Sequence, residues 1–356
     1  MSNMSVFHPD YFILLGVPGL EDSHLLLSIP FSIMYAIALF GNSTLMFVIV
    51  TNDHLHQPMY IFLTMLTATD ILLSSSAVPK TLSIFWFNSH EILFNCCLIQ
   101  IFSIHYLFVL ESSILLTMAY DRYIAICSPL TYTTTITASF IRRISLVAII
   151  RAFSIITPLV LLLNRLPYNE SNTIAHTYCE HIAMARKATA DITVNSVYGL
   201  VSAFSSTGVD MILIAVSYGI IIRTVMSLPT SETRSKAFNT SLSHVCVILL
   251  FYIPAFFSFI AHRAGQGKIP PSAHILLANL YVIIPPMMNP IIYGIRTKEI
   301  RNRLVAMLCK NMRRNSFSVF NLGQKTRVTK QERCGANHVS HHIDIVSPMS
   351  CIPILP

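Results

Sequence analysis

The sequence predicts an all-α membrane protein, a bundle of seven transmembrane helices. Only 11% of the 356 residues are charged and 53% are hydrophobic, with a mean hydropathy of +0.61, whereas a soluble domain carries about 25% charged residues. The apolar residues also come in seven long runs, each near the ~20 residues that a helix needs to cross a bilayer. A water-soluble globular protein is therefore not expected.

The seven runs follow one another along the chain with polar connections between them. They lie at about 27–51, 59–85, 98–120, 141–163, 196–226, 243–261 and 273–295. The first ~24 residues contain no Lys or Arg, so they lack the basic region of a cleavable signal, and we expect the first run to be an uncleaved anchor. We find no internal repeat of the kind that is common in secondary transporters.

Basic residues predict the orientation, because Lys and Arg are enriched in short cytoplasmic loops. One side holds few of them, namely Lys80, Arg165, Arg186, Lys187, Arg263 and Lys268. The other side, with the tail, holds Arg122, Arg142, Arg143, Arg223, Arg234, Lys236, Arg296, Lys298, Arg301, Arg303, Lys310, Arg313, Arg314 and four more. The net charge of +8 is thus an orientation signal rather than a nucleic-acid surface. It predicts a multi-pass plasma-membrane protein with an extracellular N-terminus and a cytoplasmic C-terminus.

Four segments follow from these patterns. Residues 1–26 form an extracellular N-terminus, and residues 27–296 form the seven-transmembrane domain. Residues 297–314 are basic, with Ile300, Leu304, Met307 and Leu308 at helical spacing, which predicts a short amphipathic eighth helix on the inner leaflet; a solvated linker is the alternative. The polar residues 315–356 predict a disordered cytoplasmic tail.

Ionisable residues inside apolar runs are costly and point to function. Asp70, Glu111 and Asp210 lie within the runs, and Asp121 and Arg122 end the third run. Asp70, Glu111 and Asn289 can form a polar pocket whose oxygens hold a sodium ion, or the two acids can share a proton and join helices. Asp121 and Arg122 can form a switchable ion pair or an ordinary interfacial anchor. No metal-ligand cluster and no catalytic residue is predicted.

The run Met118–Cys127, MAYDRYIAIC, resembles the signature of the odorant receptors among the rhodopsin-like G-protein-coupled receptors. Supporting motifs occur in the family's order over about residues 10 to 305, namely GN at 41–42, PMY at 58–60, LTATD at 66–70, SY at 217–218, SHVC at 243–246, FYIP at 251–254 and PMMNPIIY at 286–293. The motifs GVPGLE at 16–21, HR at 262–263 and YGIRTK at 293–298 resemble the class I, or fish-like, receptors, most closely the family 52 group.

The resemblance implies a function. An odorant receptor binds small volatile or water-soluble odorants in the helix bundle and activates a heterotrimeric stimulatory olfactory G protein, which raises cyclic AMP. Class I members are associated with carboxylic acids. The chain would not be an enzyme, and it contains neither HExxH nor GxSxG. A membrane transporter or channel, and a receptor without an odorant role, are the alternatives.

The resemblance also implies a ligand site. Arg263 matches the anion-binding Arg of class I receptors, and His105 and His181 would shape or polarise the pocket. There is an alternative for each residue. Arg263 would merely extend to the lipid headgroups, and His105 would make its hydrogen bonds within the bundle. The ligand tail would pack against Phe108, Val109, Ser202, Ala203, Ser206, Ala255, Phe256 and Phe259.

Activation residues are carried over from the family motifs. Arg122 would contact the G protein once it is freed from Asp121, with Tyr218 and Tyr293 swinging toward it and His244 near the inner end of the sixth run. Tyr252 and Pro254 would form the hinge of the sixth helix. Asn289 and Pro290 belong to the corresponding motif of the seventh run.

Covalent features complete the expectations. The family's disulfide maps to Cys97 and Cys179, with the adjacent Cys96 a competitor that the family register disfavours. Asn169 and Thr189 stand where class I receptors usually have cysteines, so one further disulfide is expected to be missing. Asn3 and Asn169 lie in N-x-Ser sequons on the outer side and predict glycosylation. Cys309 is a palmitoylation candidate, with a free thiol as the alternative.

Overall fold

Seven membrane-length helices form the described part of the chain, as the sequence predicts. The structure, a computed structural model, describes residues 8–168, 172–264 and 270–307, without the side chains of 236, 239–240 and 259–264. The spans are α1 (His24–Val50), α2 (Pro58–Phe87), α3 (Phe94–Cys127), α5 (Ala138–Asn164), the pair α7 (Thr193–Ala203) and α8 (Val209–Met226), α9 (Ser231–Ala264) and α10 (Pro271–Arg296). The short helices α4 (Tyr132–Thr135) and α6 (His181–Ala185) lie in connections.

Most helices extend beyond the apolar runs that predict them. α3 continues to Cys127 and α9 begins at Ser231. A helix can continue through polar residues outside the hydrocarbon, and hydropathy does not detect that part. Local signals set several ends. Pro58 occupies the first turn of α2, Asn88 ends that helix in the left-handed region at φ 53°, and the Thr137 hydroxyl accepts a hydrogen bond from the Phe140 N–H at the start of α5.

The fifth span contains a π-helical turn. Phe204–Gly208 connects α7 to α8 without a break in the helix. A π turn inserts an extra residue and changes which side chains face the bundle. Ser206 and Thr207 in this turn are buried, so the irregularity places two hydroxyl groups in the interior.

Helices α1 and α10 pack closely at Gly41. A Cβ atom on Gly41 would lie 2.8 Å from Cγ of Pro290, a separation that carbon atoms do not tolerate. The same neighbourhood is fixed by Asn42, whose side-chain amide donates to the Pro286 carbonyl at 2.7 Å. Gly41 and Asn42, both part of a sequence motif, therefore hold α1 against α10.

A small sheet covers one end of the bundle, which we call the sheet end. Its strands are β1 (Tyr11–Leu14), β2 (Glu91–Leu93) and β3 (Thr173–Ile174), in the order β2-β1-β3. β1 pairs antiparallel to β2 and parallel to β3. The Lys80 ammonium of α2 donates to the carbonyls of Ser89 and Glu91, which ties the sheet to the bundle.

Past α10, residues 298–307 are helical in the structure. Leu304 of this segment lies 3.6 Å from the position that a Cβ on Gly294 would take. The segment covers the first part of the predicted amphipathic helix at 297–314. Its remainder, the tail at 315–356 and Cys309 lie outside the described residues, as do Asn3 and Asn169.

Candidate functional site

A cavity of about 160 Å³ lies in the bundle below the sheet end, between α3, α5, the fifth span, α9 and α10. Nine of the eleven side chains predicted to bind ligand line it, namely His105, Phe108, Val109, His181, Ser202, Ala203, Ser206, Ala255 and Phe256. The side chains of Phe259 and Arg263 lie outside the described part of the chain. The backbone of Arg263 is in the last turn of α9.

The cavity also contains polar residues that the sequence reasoning missed. Tyr178 and Glu180 flank Cys179, and Ser258, His274 and Tyr281 come from α9 and α10. None of them belongs to a motif, and only folding brings the loop and α10 to α3. The neighbours of Cys179 were the one available signal, because a disulfide at that residue fixes the loop over the bundle.

Two hydroxyl groups of the lining are already satisfied. Ser202 donates to the Gly199 carbonyl at 3.1 Å and Ser206 donates to the Ser202 carbonyl at 2.6 Å. A serine that donates to its own helix presents little polarity to its surroundings. The part of the cavity against the fifth span is therefore less polar than its composition indicates.

The loop above the cavity is held firmly. Cys97 and Cys179 form the predicted disulfide, with S–S 2.05 Å, and Cys96 is a free, exposed thiol. Gln100 accepts from the Cys179 N–H at 2.8 Å and donates to the Ser76 carbonyl at 2.8 Å. The Tyr178 hydroxyl donates to a carbonyl of α10, and burial raises the pKa of this phenol well above its usual value.

Deeper in the bundle, Asp70 contacts both Asn289 and Glu111. The Asn289 amide donates to both carboxylate oxygens of Asp70, at 3.1 and 3.0 Å, and all three residues are fully buried. Within the part of the chain that the structure describes, no N–H or hydroxyl donor reaches the two carboxylate oxygens of Glu111 or the amide oxygens of Asn289 and Asn42. Four buried oxygen atoms without donors are the ligands that a hard cation or a proton would satisfy.

A second acidic cluster surrounds Asp210, and its partner was missed in the sequence. Arg151 of α5 forms an ion pair with Asp210, with Nη1 to Oδ2 at 2.9 Å. The guanidinium also donates to Ser113 Oγ at 2.8 Å and to the Ser206 carbonyl at 2.9 Å. Asp210 further accepts from Ser112 at 2.7 Å, and Ser112 and the Tyr252 hydroxyl are 2.9 Å apart. The network joins α3, α5, α8 and α9.

The switchable ion pair predicted between Asp121 and Arg122 is not closed among the described residues, and it stays a prediction. Asp121 accepts a hydrogen bond from the Tyr132 hydroxyl at 2.8 Å. Burial and the nearby Asp121 carboxylate raise the pKa of Tyr132, so it remains a donor. Within the described residues Arg122 makes no ion pair, and its Nε is buried without a partner.

Three of the remaining activation residues, Tyr218, His244 and Tyr293, lie close to one another. The rings of His244 and Tyr293 meet edge to face, with centroids 5.7 Å apart. The hydroxyls of Tyr218 and Tyr293 and Nε2 of His244 are buried, and none of them has a hydrogen-bond partner among the described residues. Pro254 lies inside α9 and Pro290 inside α10. Unsatisfied buried polar groups are costly, so this region is suited to rearrangement.

Comparison with known proteins agrees with this architecture. The olfactory receptor family model matches residues 31–311. Human olfactory receptor 52D1 is 53% identical over 86% of this chain and 97% of its own, human olfactory receptor 52B2 is 53% identical over 84% and 93%, and human olfactory receptor 52H1 is 49% identical over 86% and 98%.

A seven-helix bundle with a buried cavity and a disulfide-tied loop defines a G-protein-coupled receptor. The chain belongs to the olfactory receptor family. It is therefore an odorant receptor of the membrane that couples to a G protein, and not an enzyme. The family assignment places it among receptors rather than among the transporters or channels considered as alternatives.

Proposed function

We propose that this receptor recognises small carboxylic acids, medium-chain fatty acids in particular, and signals through the stimulatory olfactory G protein to raise cyclic AMP. One observation carries the proposal. The cavity below the disulfide-tied loop is mostly apolar along Phe108, Val109, Ala255 and Phe256 and has polar groups at its loop side. An apolar chain with one polar end fits that division.

Arg263 serves as the anion partner, since the last turn of α9 approaches the sheet end and Arg binds carboxylates bidentately. His105 and His181, whose ring centroids are 6.2 Å apart, polarise the cavity between this anchor and the apolar lining. The anchor selects the head group, and the lining selects the chain length.

The expected affinity is weak. Each buried methylene contributes about 0.8 kcal/mol, and a charge-assisted hydrogen bond contributes roughly 1.5 to 3 kcal/mol. Six methylenes with the anchor give roughly 6 to 8 kcal/mol before association costs of several kcal/mol are subtracted. The receptor should respond at micromolar to millimolar odorant.

The acid proposal is tested with cyclic AMP dose responses to a C4 to C10 acid series and the matching alcohols. Arg263→Ala should lose the preference for acids, and Arg165→Ala, which removes an exposed arginine beyond α5, should keep it. A parent receptor that prefers the alcohols throughout, or an Arg263→Ala receptor that still prefers acids, contradicts the proposal.

We propose further that the sheet end is extracellular and the tail cytoplasmic in the plasma membrane, on the support of the basic-residue asymmetry. Epitope tags at both termini test this. Only the N-terminal tag should be stained on intact cells, and surface staining of the C-terminal tag would reverse the orientation.

Activation is proposed to move α9 outward about Pro254, which exposes Arg122 to the G protein while Tyr218 and Tyr293 turn toward it and His244 leaves its packed position. The unpartnered hydroxyls of both tyrosines support a second arrangement in which they are satisfied. Arg122→Ala should abolish cyclic AMP output at normal surface expression, and normal output from this variant contradicts the role.

Finally, we propose that the Asp70, Glu111 and Asn289 cluster binds a sodium ion in the inactive receptor. The unpartnered oxygens of Glu111 and Asn289 support this assignment over a purely structural role. A carboxyl pair that shares one proton is the alternative, and the two give different salt dependence.

A further inference from the structure

His105 has a fixed orientation within the cavity. Its Nδ1 lies 2.9 Å from the carbonyl oxygen of Ile101, one turn earlier on α3. A carbonyl oxygen only accepts, so Nδ1 must carry the proton. The imidazole is half-buried and lines the cavity, and Nε2 has no hydrogen-bond partner among the described residues.

The ring is neutral on geometric grounds. Within the described residues no carboxylate lies within ion-pair distance of His105, and its ring contact is with the imidazole of His181, at a centroid distance of 6.2 Å. A protonated imidazole there would be a buried charge without a counter-ion, which is strongly unfavourable. With the proton on Nδ1, the neutral ring presents the lone pair of Nε2 as a hydrogen-bond acceptor.

A carboxylate cannot satisfy this atom, because an ionised carboxylate only accepts hydrogen bonds. Its charge would also be unfavourable beside the lone pair. An unsubstituted fatty acid held at Arg263 therefore offers no donor to Nε2 and leaves this acceptor unsatisfied, which weakens binding.

We infer that His105 accepts a hydrogen bond from the bound odorant, so that the receptor prefers acids with a second, donor group along the chain, hydroxylated carboxylic acids above plain fatty acids. The acid part of this inference rests on the proposed function. The donor part rests on His105 alone. His105 is thus a specificity-determining residue. Its Nε2 atom favours ligands that place a hydrogen-bond donor there and disfavours ligands that place an acceptor there.

The inference is tested with octanoic acid, its positional hydroxyoctanoic isomers and the methyl ether of the best isomer. At least one hydroxy acid should activate the parent receptor at about tenfold lower concentration than octanoic acid, which corresponds to about 1.4 kcal/mol. The ether should lose that advantage. His105→Phe keeps a ring but removes the acceptor and should bring the two acids together, whereas His105→Gln retains an acceptor oxygen and should keep part of the advantage.

Equal hydroxyl preference in the parent and His105→Phe overturns the inference, as does the absence of any preferred isomer. If no acid activates the receptor, the acid proposal fails independently of the donor proposal. A comparison of octan-1-ol with methyl octyl ether then tests the donor preference without a carboxylate. A direct readout is independent of ligand choice. Nitrogen-15 spectra of histidine-labelled receptor, with His105 assigned by its loss in His105→Phe, should show the proton on Nδ1; a proton on Nε2 overturns the inference.

Discussion

The helix bundle buries two acidic clusters that are built differently. Asp210 is 2% exposed and is paired with the Arg151 guanidinium, which also bonds Ser113 and a backbone carbonyl. Asp70 and Glu111 are fully buried and adjacent to each other, and within the described residues the neutral amide of Asn289 is the only side-chain donor to their carboxylates. The first cluster supplies its own cation, and the second does not.

This difference separates two uses of an intramembrane acid. A carboxylate that is paired with a guanidinium, and whose neighbours are hydrogen-bonded, needs no further partner. Its role is to hold helices in one arrangement. A pair of carboxyl groups without a cation needs a proton or an ion from outside. The occupancy of such a site then depends on conditions, which suits it to regulation.

The largest expected effect comes from breaking the complete cluster. Arg151→Met leaves Asp210 buried without its cation and should destabilise the receptor by about 3 to 5 kcal/mol. We expect loss of surface expression and a strongly lowered thermal unfolding midpoint in detergent.

The matched control is the double variant Arg151→Met with Asp210→Leu. It removes both charges together and should recover much of the stability, because an apolar pair of similar volume often replaces a buried ion pair at little cost. If Arg151→Met alone is as stable as the parent, the ion pair does not hold the helices.

Some residues of these clusters can be predicted from the sequence and others cannot, for a physical reason. Asp70, Asn289, Cys97 and Cys179 lie in motifs that fix their positions, and the structure brings each to its expected partner. The sequence marks Asp210 only as a charge in an apolar run, and it does not indicate Arg151 as its partner. Their pairing depends on the rotation of two helices and on the π turn before α8, neither of which hydropathy records.

The second expected effect tests the incomplete cluster. Purified parent receptor should unfold at a higher temperature in sodium chloride than in choline chloride of equal ionic strength, because an ion that binds only the folded state stabilises it, by about 2.7 kcal/mol at a hundredfold excess over Kd. Glu111→Gln and Asp70→Asn should each abolish the difference, while Asp121→Asn should retain it. A sodium effect that survives in Glu111→Gln, or stability that responds to pH but not to sodium, favours the shared proton instead.

Asp121 is intermediate between the two clusters, since within the described residues it has one phenolic donor and no cation at ion-pair distance. Tyr132→Phe removes that donor and should cost about 1.5 kcal/mol, the lower value for a hydrogen bond to a charged group. If the bond holds the inactive form, basal cyclic AMP should rise in Tyr132→Phe and in Asp121→Asn alike. If basal cyclic AMP rises in Asp121→Asn but not in Tyr132→Phe, Asp121 restrains Arg122 directly and not through Tyr132.

The smallest effect concerns the link from the complete cluster to α9. Tyr252→Phe removes the contact to Ser112, but Ser112 still donates to Asp210, so no charge is left unpaired. A neutral hydrogen bond contributes about 1 kcal/mol, and we expect normal surface expression with a basal or maximal cyclic AMP output changed by a few fold. Tyr218→Phe is the matched control, because it removes a hydroxyl that has no partner and should not lower stability. If both variants lower the unfolding midpoint equally, the Tyr252 hydroxyl adds nothing to the cluster, and α9 is held by packing of rings such as Phe251 against Phe108.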